Sequence, residues 1–279
     1  MSAALTGFVR DAGRPGVRNH VLVLPSVVCS SHSALEIAGE DGAAIAITHQ
    51  HGCLHVGDDL VHTEGELVGT ATNPNVAGVV VVSLGCETIN GARLAREIAA
   101  RGQRVELVGI QAAGGTRHAI AEGRAAVARL SATAGERTPL APEELVVGLD
   151  AADDPLAEPL RAALAARGVT VLPLPDGPRG AEAHVALAGA GAQLIVSLPV
   201  PDEAPIGFAV CPVVAVGRET ELHLALADDF DVHAEAGETA EALADRVAER
   251  VLTHAAGEQT ASERRGARDF VLHRLAVTM

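Results

Sequence analysis

A chain of 279 residues with 48% hydrophobic residues can bury a full core, and its length suits one large or two modest domains. The formal net charge of −15 and the 1% aromatic content, with no Trp and no Tyr, disfavour a polyanionic partner and any platform for stacking bases. All 21 basic residues are Arg, which excludes Schiff-base chemistry, a lysine general base and a Walker-type phosphate loop; acid–base work falls to His, Asp, Glu or Cys.

The opening stretch, MSAALTGFVRDAGRPGVRNH, has no continuous apolar run ahead of its charges and does not read as a signal peptide. Short β-branched runs then alternate with Ala-rich stretches. Strands are predicted over 21–28, 43–48, 76–84 and 105–110, and helices over 32–40, 91–102 and 115–132. Continuous apolar strands separated by helices predict a parallel sheet covered on both faces. The polar, Pro-bearing stretch SATAGERTPLAPEE, 131–144, predicts a linker. The pattern then restarts, with strands over 145–149, 169–174, 192–198 and 212–217 and helices over 155–168, 181–191, 219–230 and 238–256. The expected class is α/β: two Rossmann-like parallel-sheet units packed together, 1–135 and 145–279, joined by a linker at 136–144. No apolar run reaches membrane-spanning length without Gly, Pro or a charge, and the four cysteines predict thiols rather than a disulfide framework, so a cytoplasmic protein is expected.

Each predicted strand of the first half ends in polar or reactive residues. The first runs into Cys29-Ser30-Ser31-His32, the second into Thr48-His49-Gln50-His51-Gly52-Cys53, the third into Gly85-Cys86-Glu87-Thr88 and the fourth into Gln111 and Gly114-Gly115-Thr116. Ligands of open parallel sheets bind outside the carboxyl ends of the strands, so these four ends predict one site. Each residue also has a plain reading. Cys29 and Cys211 would be small buried hydrophobes, Glu87 the cap of the helix that follows it, and Arg18 a solvated side chain. The pair His49 and His51 is harder to set aside. Residues two apart on a strand face the same side, and Cys53 or His55 would add donors of the kind that bind zinc or iron. A Cys–His nucleophile pair and two idle histidines stay open beside the metal reading.

Taken together, the motifs resemble the altronate/galactarate dehydratase family. The carriers are GFVRDAGRPGVRNHVLVLPSVVCSSH (7–32), HQHGC (49–53) and NPNVAGVVVVSLGCE (73–87), with looser blocks GAQLIVS, PIGFAVCPVVAVG, ADDFDVHAE and AAGEQTASERRG further on. The sequence departs from the family pattern at three places. Leu149-Asp150-Ala151-Ala152-Asp153-Asp154 stands where the family carries a cysteine-bearing GLECGGSD-like segment, and Ala190-Gly191-Ala192-Gln193 stands for TGCQ. The central segment with a GN…GG…EKS motif has no counterpart, in keeping with the missing Lys, so the chain reads as a shortened form.

The resemblance implies metal-dependent hydro-lyases, often iron-linked, that convert sugar acids to 2-keto-3-deoxy acids, with a branch that eliminates sulfite from sulfolactate. On that basis His49, His51 and Cys86, with Cys53 as a fourth, are expected to bind a divalent metal, Fe2+ first, with Zn2+ or Mn2+ behind it. His32 and Glu87 are the expected acid and base, and Arg18, Asn19, Asn73 and Asn75 are expected to hold the substrate. The expected partner is a small hydroxy acid, with neither nucleic acid nor membrane, in a homo-oligomer or with a partner subunit. Two other readings stand beside the lyase: a non-catalytic ligand-binding protein, and one subunit of a split dehydratase or sulfo-lyase.

Overall fold

The computed structural model describes residues 4–40, 42–54, 56–151, 154–173 and 177–275. In the first half the chain forms β1 (Thr6–Phe8), β2 (His20–Pro25), α1 (Ser31–Ala38), β3 (Ile45–Ala46), α2 (Gly57–Ala71), β4 (Val76–Ser83), α3 (Gly91–Ala100), β5 (Val105–Gly109), α4 (Thr116–Ala132) and β6 (Arg137–Pro139). The second half follows with β7 (Val146–Asp150), α5 (Ala157–Ala165), β8 (Thr170–Pro173), α6 (Ala181–Gly189), β9 (Leu194–Ser197), β10 (Val213–Gly217), α7 (Glu221–Ala225), β11 (Val232–His233), α8 (Ala240–Ala255) and α9 (Ala261–Arg265).

Two parallel sheets result, ordered β3-β2-β4-β5 and β11-β10-β9-β7-β8. The apolar runs explain them: all eight residues of β4 are buried, as a strand covered on both faces requires. Helices cover the sheets with one apolar stripe each. In α8, Leu243, Val247 and Val251 recur every four residues and are buried, and Thr239 caps the first turn. In each sheet the first of its strands in chain order, β2 or β7, lies between the second and the third. The strand order therefore reverses between β2 and β4, and again between β7 and β9.

The predicted linker is partly structured. α4 continues to Ala132, and β6 pairs antiparallel with β1, bringing the chain back to its start before the second sheet begins. Helix α2 was not predicted, because Gly57, Gly65 and Gly69 interrupt its apolar pattern. Gly69 has a packing reason: a Cβ there would stand 2.9 Å from the Cα of Gly189, so α2 and α6 cross with their backbones touching. One core runs across that crossing, joining Leu22, Leu67 and Val79 of the first half to Leu187, Ile195 and Phe208 of the second. Each such fully buried Leu or Ile contributes roughly 1.5–3 kcal/mol. No helix among the described residues is long and apolar enough to cross a membrane.

Candidate functional site

The loops at the carboxyl edge of the first sheet are sewn to one another. Val28 N donates to His51 O (2.9 Å), and Thr88 N and Ile89 N both donate to Gly52 O (3.0 and 3.2 Å). Gln111 N, after β5, donates to Leu84 O (3.1 Å). The HQHGC turn is thus wedged between the loops that follow β2 and β4. Gly52 makes this fit: its φ is 100°, and a Cβ would fall 2.3 Å from Ser26 O and 2.6 Å from the Cα of Val27. Across the reversal in strand order, Ser26 Oγ donates to Glu87 Oε1 (2.9 Å), while Gly85 N donates to Glu87 Oε2 (2.5 Å). Glu87 is not the cap of α3. Asn90 takes that role, its side chain accepting from Arg93 N at 2.9 Å. Ser26 escaped the sequence reading; the one available signal was its place as the first polar residue after β2.

Cys29, Cys53 and Cys86 are exposed free thiols on these loops, so Cys29 is not the buried hydrophobe of its plain reading. Cys211 is buried, its Sγ donating to Ala192 O at 3.1 Å, and burial pushes its thiol up to about 12. His32 is exposed on the first turn of α1. The rings of His49 and His51 lie nearly parallel, 15° apart with centroids at 6.4 Å, but on the loop beyond β3, which ends at Ala46, and not on a strand as expected. His49 is buried, and both its ring nitrogens meet main chain. Nε2 lies 2.8 Å from Pro25 O, which can only accept, and Nδ1 lies 3.2 Å from His51 N, which can only donate. The Nε2–H tautomer is thereby fixed, and a metal at either nitrogen would have to displace one of these bonds. Among the described residues no three His, Cys, Asp or Glu side chains are placed to hold a metal ion. The expected set His49, His51, Cys53 and Cys86 therefore shares one edge without converging on one point; His55 lies outside the described residues.

The expected substrate-holding residues gather at the opposite end of the sheet. Asn73 and Asn75 precede β4 and Glu87 follows it, and eight strand residues separate the two groups by about 25 Å. A small ligand cannot touch both. Asn75 is buried with its amide saturated: Oδ1 accepts from Val17 N and Arg18 N, and Nδ2 donates to Gln193 O and Val210 O. Asn73 Nδ2 donates to Ala188 O and Ala192 O, both at 2.8 Å, and its Oδ1 accepts from Asn75 N. Arg18 clamps Glu263 with two bonds of 2.7 and 2.8 Å and reaches the carbonyls of His254 and Glu258. Asn19 Oδ1 accepts from Arg10 Nη1 at 2.8 Å. In this structure Arg18, Asn73 and Asn75 join the two halves, and Asn19 braces the segment that leads into β2. Gln193, the last residue of the Ala190–Gln193 stretch that stands for TGCQ, joins them: its side chain accepts from Val146 N at 2.6 Å and donates to Pro15 O.

Two family profiles match the chain. The profile of the second domain of D-galactarate dehydratase/altronate hydrolase matches residues 7–135, and that of the D-galactarate/altronate dehydratase C-terminal domain matches residues 161–278. The chain is 42% identical over 78 residues to a (2R)-sulfolactate sulfo-lyase subunit beta of Chromohalobacter salexigens, a stretch covering 28% of this chain and 20% of that relative. It is 35% identical over 99 residues to the altronate dehydratase of Bacillus subtilis, covering 32% of this chain and 20% of the relative. The Escherichia coli altronate dehydratase is 35% identical over 91 residues, covering 29% of this chain and 18% of the relative. The alignments thus span about a fifth of each relative's length. The two domain profiles between them cover most of the sequence, and the chain belongs to the D-galactarate/altronate dehydratase family.

Proposed function

We propose that the chain is a cytoplasmic carbon–oxygen lyase that removes water from a small hydroxy acid, a sugar acid first among them, to give a 2-keto-3-deoxy acid. The observation that carries this reading is the Ser26–Glu87 pair set across the reversal between β2 and β4, with three exposed thiols on the same loops. Dehydration of a 2,3-dihydroxy acid takes a proton from C2 and releases the C3 hydroxyl as water; the enol that remains tautomerises to the 2-keto acid. Each Glu87 oxygen accepts one hydrogen bond and keeps a lone pair for the C2 proton, so Glu87 is the proposed base. His32, exposed at the start of α1, is the proposed donor to the departing hydroxyl. A divalent metal of the kind the family resemblance implies, Fe2+ or else Zn2+ or Mn2+, would polarise the substrate's carboxylate and leaving hydroxyl when bound.

Three observations favour a second reading, in which this chain is one subunit of a split lyase. One matched relative is itself a subunit beta, and the expected metal donors do not converge within the described residues. Beside Cys53, the apolar side chains of Leu54, Val56 and Val61 stand 88%, 77% and 69% exposed, as a surface covered by another chain would.

The test is anaerobic purification followed by assay of altronate, galactarate and sulfolactate for 2-keto acid and sulfite, with Fe2+, Zn2+ or Mn2+ added. Turnover that falls about a hundredfold in Glu87→Gln supports the lyase with Glu87 as base. Turnover unchanged in that variant removes Glu87 from the chemistry. Turnover that arises only when a second subunit is co-expressed supports the split form.

A further inference from the structure

At the amino end of the first sheet three stretches close around a cavity of about 80 Å³: the loop 9–14 after β1, residues 72–77 leading into β4, and the turn 101–104 between α3 and β5. The loop and the turn touch. A Cβ on Gly102, whose φ is 85°, would stand 2.6 Å from that of Ala12. Among the described residues, four arginines line the cavity, Arg10, Arg14, Arg101 and Arg104, against one acid, Asp11. A lining this positive stands out in a chain of net charge −15.

The one acid is already engaged. Both oxygens of Asp11 accept from Arg104, at 2.7 and 2.9 Å, and Arg104 also donates to Thr133 O. Arg10 lies deeper. It donates to Pro74 O (2.6 Å), Arg18 O (2.7 Å), Asn19 Oδ1 (2.8 Å) and Val9 O (3.2 Å), all of them neutral acceptors. These bonds fix the guanidinium, yet none brings a negative charge to it. Burial, then the nearby Arg104, push Arg10 down to about 10, with Asp11 opposing. A buried charge ordinarily meets an opposite one. At the rim, Arg14 and Arg101 are exposed, and among the described residues neither has a hydrogen-bond or ion-pair partner. A cation at the C-terminal end of α3 would explain Arg101 by the helix dipole, but not the other three.

We propose that this cavity binds a phosphate group. Phosphate brings about −1.5 to −2 charges and acceptor oxygens on several sides, which suits guanidinium forks converging from two loops. A carboxylate brings one charge and leaves most of the lining unbalanced. The cavity is well below the roughly 300 Å³ at which pockets for whole small molecules begin, so it takes the phosphate alone and leaves any organic remainder outside, beside Arg14 and Arg101. The site stands at the other end of β4 from Glu87, about 25 Å away, and does not depend on the lyase reading.

Calorimetric titration of the full chain at low ionic strength with inorganic phosphate, glycerol 3-phosphate and acetate tests it. Phosphate should bind about tenfold or more tightly than acetate. Tighter binding of glycerol 3-phosphate than of phosphate would support an organic phosphate as the source, and equal binding the free ion. The double variant Arg14→Gln/Arg101→Gln, changed only at exposed side chains, should keep the wild-type urea midpoint and weaken phosphate about a hundredfold. Asp11→Asn removes the one acid and should tighten phosphate about threefold, which a merely structural role of Asp11 would not do. No binding of phosphate, equal affinity for phosphate and acetate, phosphate binding unchanged in the double variant, or weaker binding in Asp11→Asn would each overturn the proposal.

Discussion

Replacing Glu66 by Gln should make the chain less sensitive to rising pH. Glu66 lies on α2 with its side chain 9% exposed, its Oε1 3.3 Å from His62 Nε2 and its Oε2 without a hydrogen-bond partner. His273 and Glu182, themselves paired at 3.0 Å, face it from the C-terminal segment and from α6. Burial, with Glu182 adding to it and the His273 main chain opposing, pushes the Glu66 carboxyl from 4.5 up to about 8. The folded chain therefore holds a proton that the unfolded chain has released, so stability falls as pH rises from 4.5 towards 8. At about 1.4 kcal/mol per pH unit the ceiling is ~5 kcal/mol. Glu66 keeps 9% of its side chain exposed, and water that reaches the carboxylate as it ionises reduces the expected loss to ~2 kcal/mol. Urea unfolding at about pH 5 and about pH 8 measures it. Wild type should lose about 2 kcal/mol more than Glu66→Gln between the two, since every other titrating group is common to both. Parallel profiles would refute a raised Glu66.

Ellman titration of the native chain should find three fast thiols, with Cys211 reacting only after denaturation; four fast thiols would contradict its burial. Asn75→Ala leaves two N–H groups and two carbonyls without their buried partner and should cost about 3 kcal/mol or more, read from the urea midpoint; a loss under about 1 kcal/mol would mean that the halves are held elsewhere. Gly69→Ala should destabilise by about 1–3 kcal/mol because α2 and α6 must part, whereas Gly65→Ala, with open space around it, should gain up to about 1 kcal/mol; the same sign at both positions would refute the close crossing.

The long buried strands were legible because a strand covered on both faces must be apolar throughout, and β4 is the clearest case. Short pieces were not. β1 and β6 have three residues each, too few to show a period, and they exist only because they pair with each other across the whole first half. Within 43–48 only Ile45–Ala46 pairs, and the helix expected over 219–230 stops at Ala225 before a tight turn. Helix α2 was hidden by glycines whose reason, the contact of Gly69 with Gly189, lies in the other half of the chain. The site was partly legible for the same reason. Strand ends can be read from the strands, so Cys53, Cys86 and Glu87 could be singled out. The pairing of Ser26 with Glu87, 61 residues apart, could not.

The direction of β4 explains how one motif block meets two different surroundings. NPN stands at the amino end of the strand and GCE at the carboxyl end, and the ligand crevice of an open parallel sheet lies at the latter. Polar residues at the amino end face the second half, and their partners lie 115 to 135 residues further along the chain. A polar triad beside a strand therefore says that buried hydrogen bonds are needed, while the end it occupies says for what. Residues of one contiguous block should separate under substitution: changes at Asn73 and Asn75 should act first on stability, and changes at Cys86 and Glu87 first on chemistry. The second sheet follows the same rule. Gln193, at the amino end of β9, binds Pro15 of the first half, while Ser197, at its carboxyl end, faces a cavity. In both halves polar side chains at the amino ends of the strands dock the protein to itself, while those at the carboxyl ends border loops or a cavity.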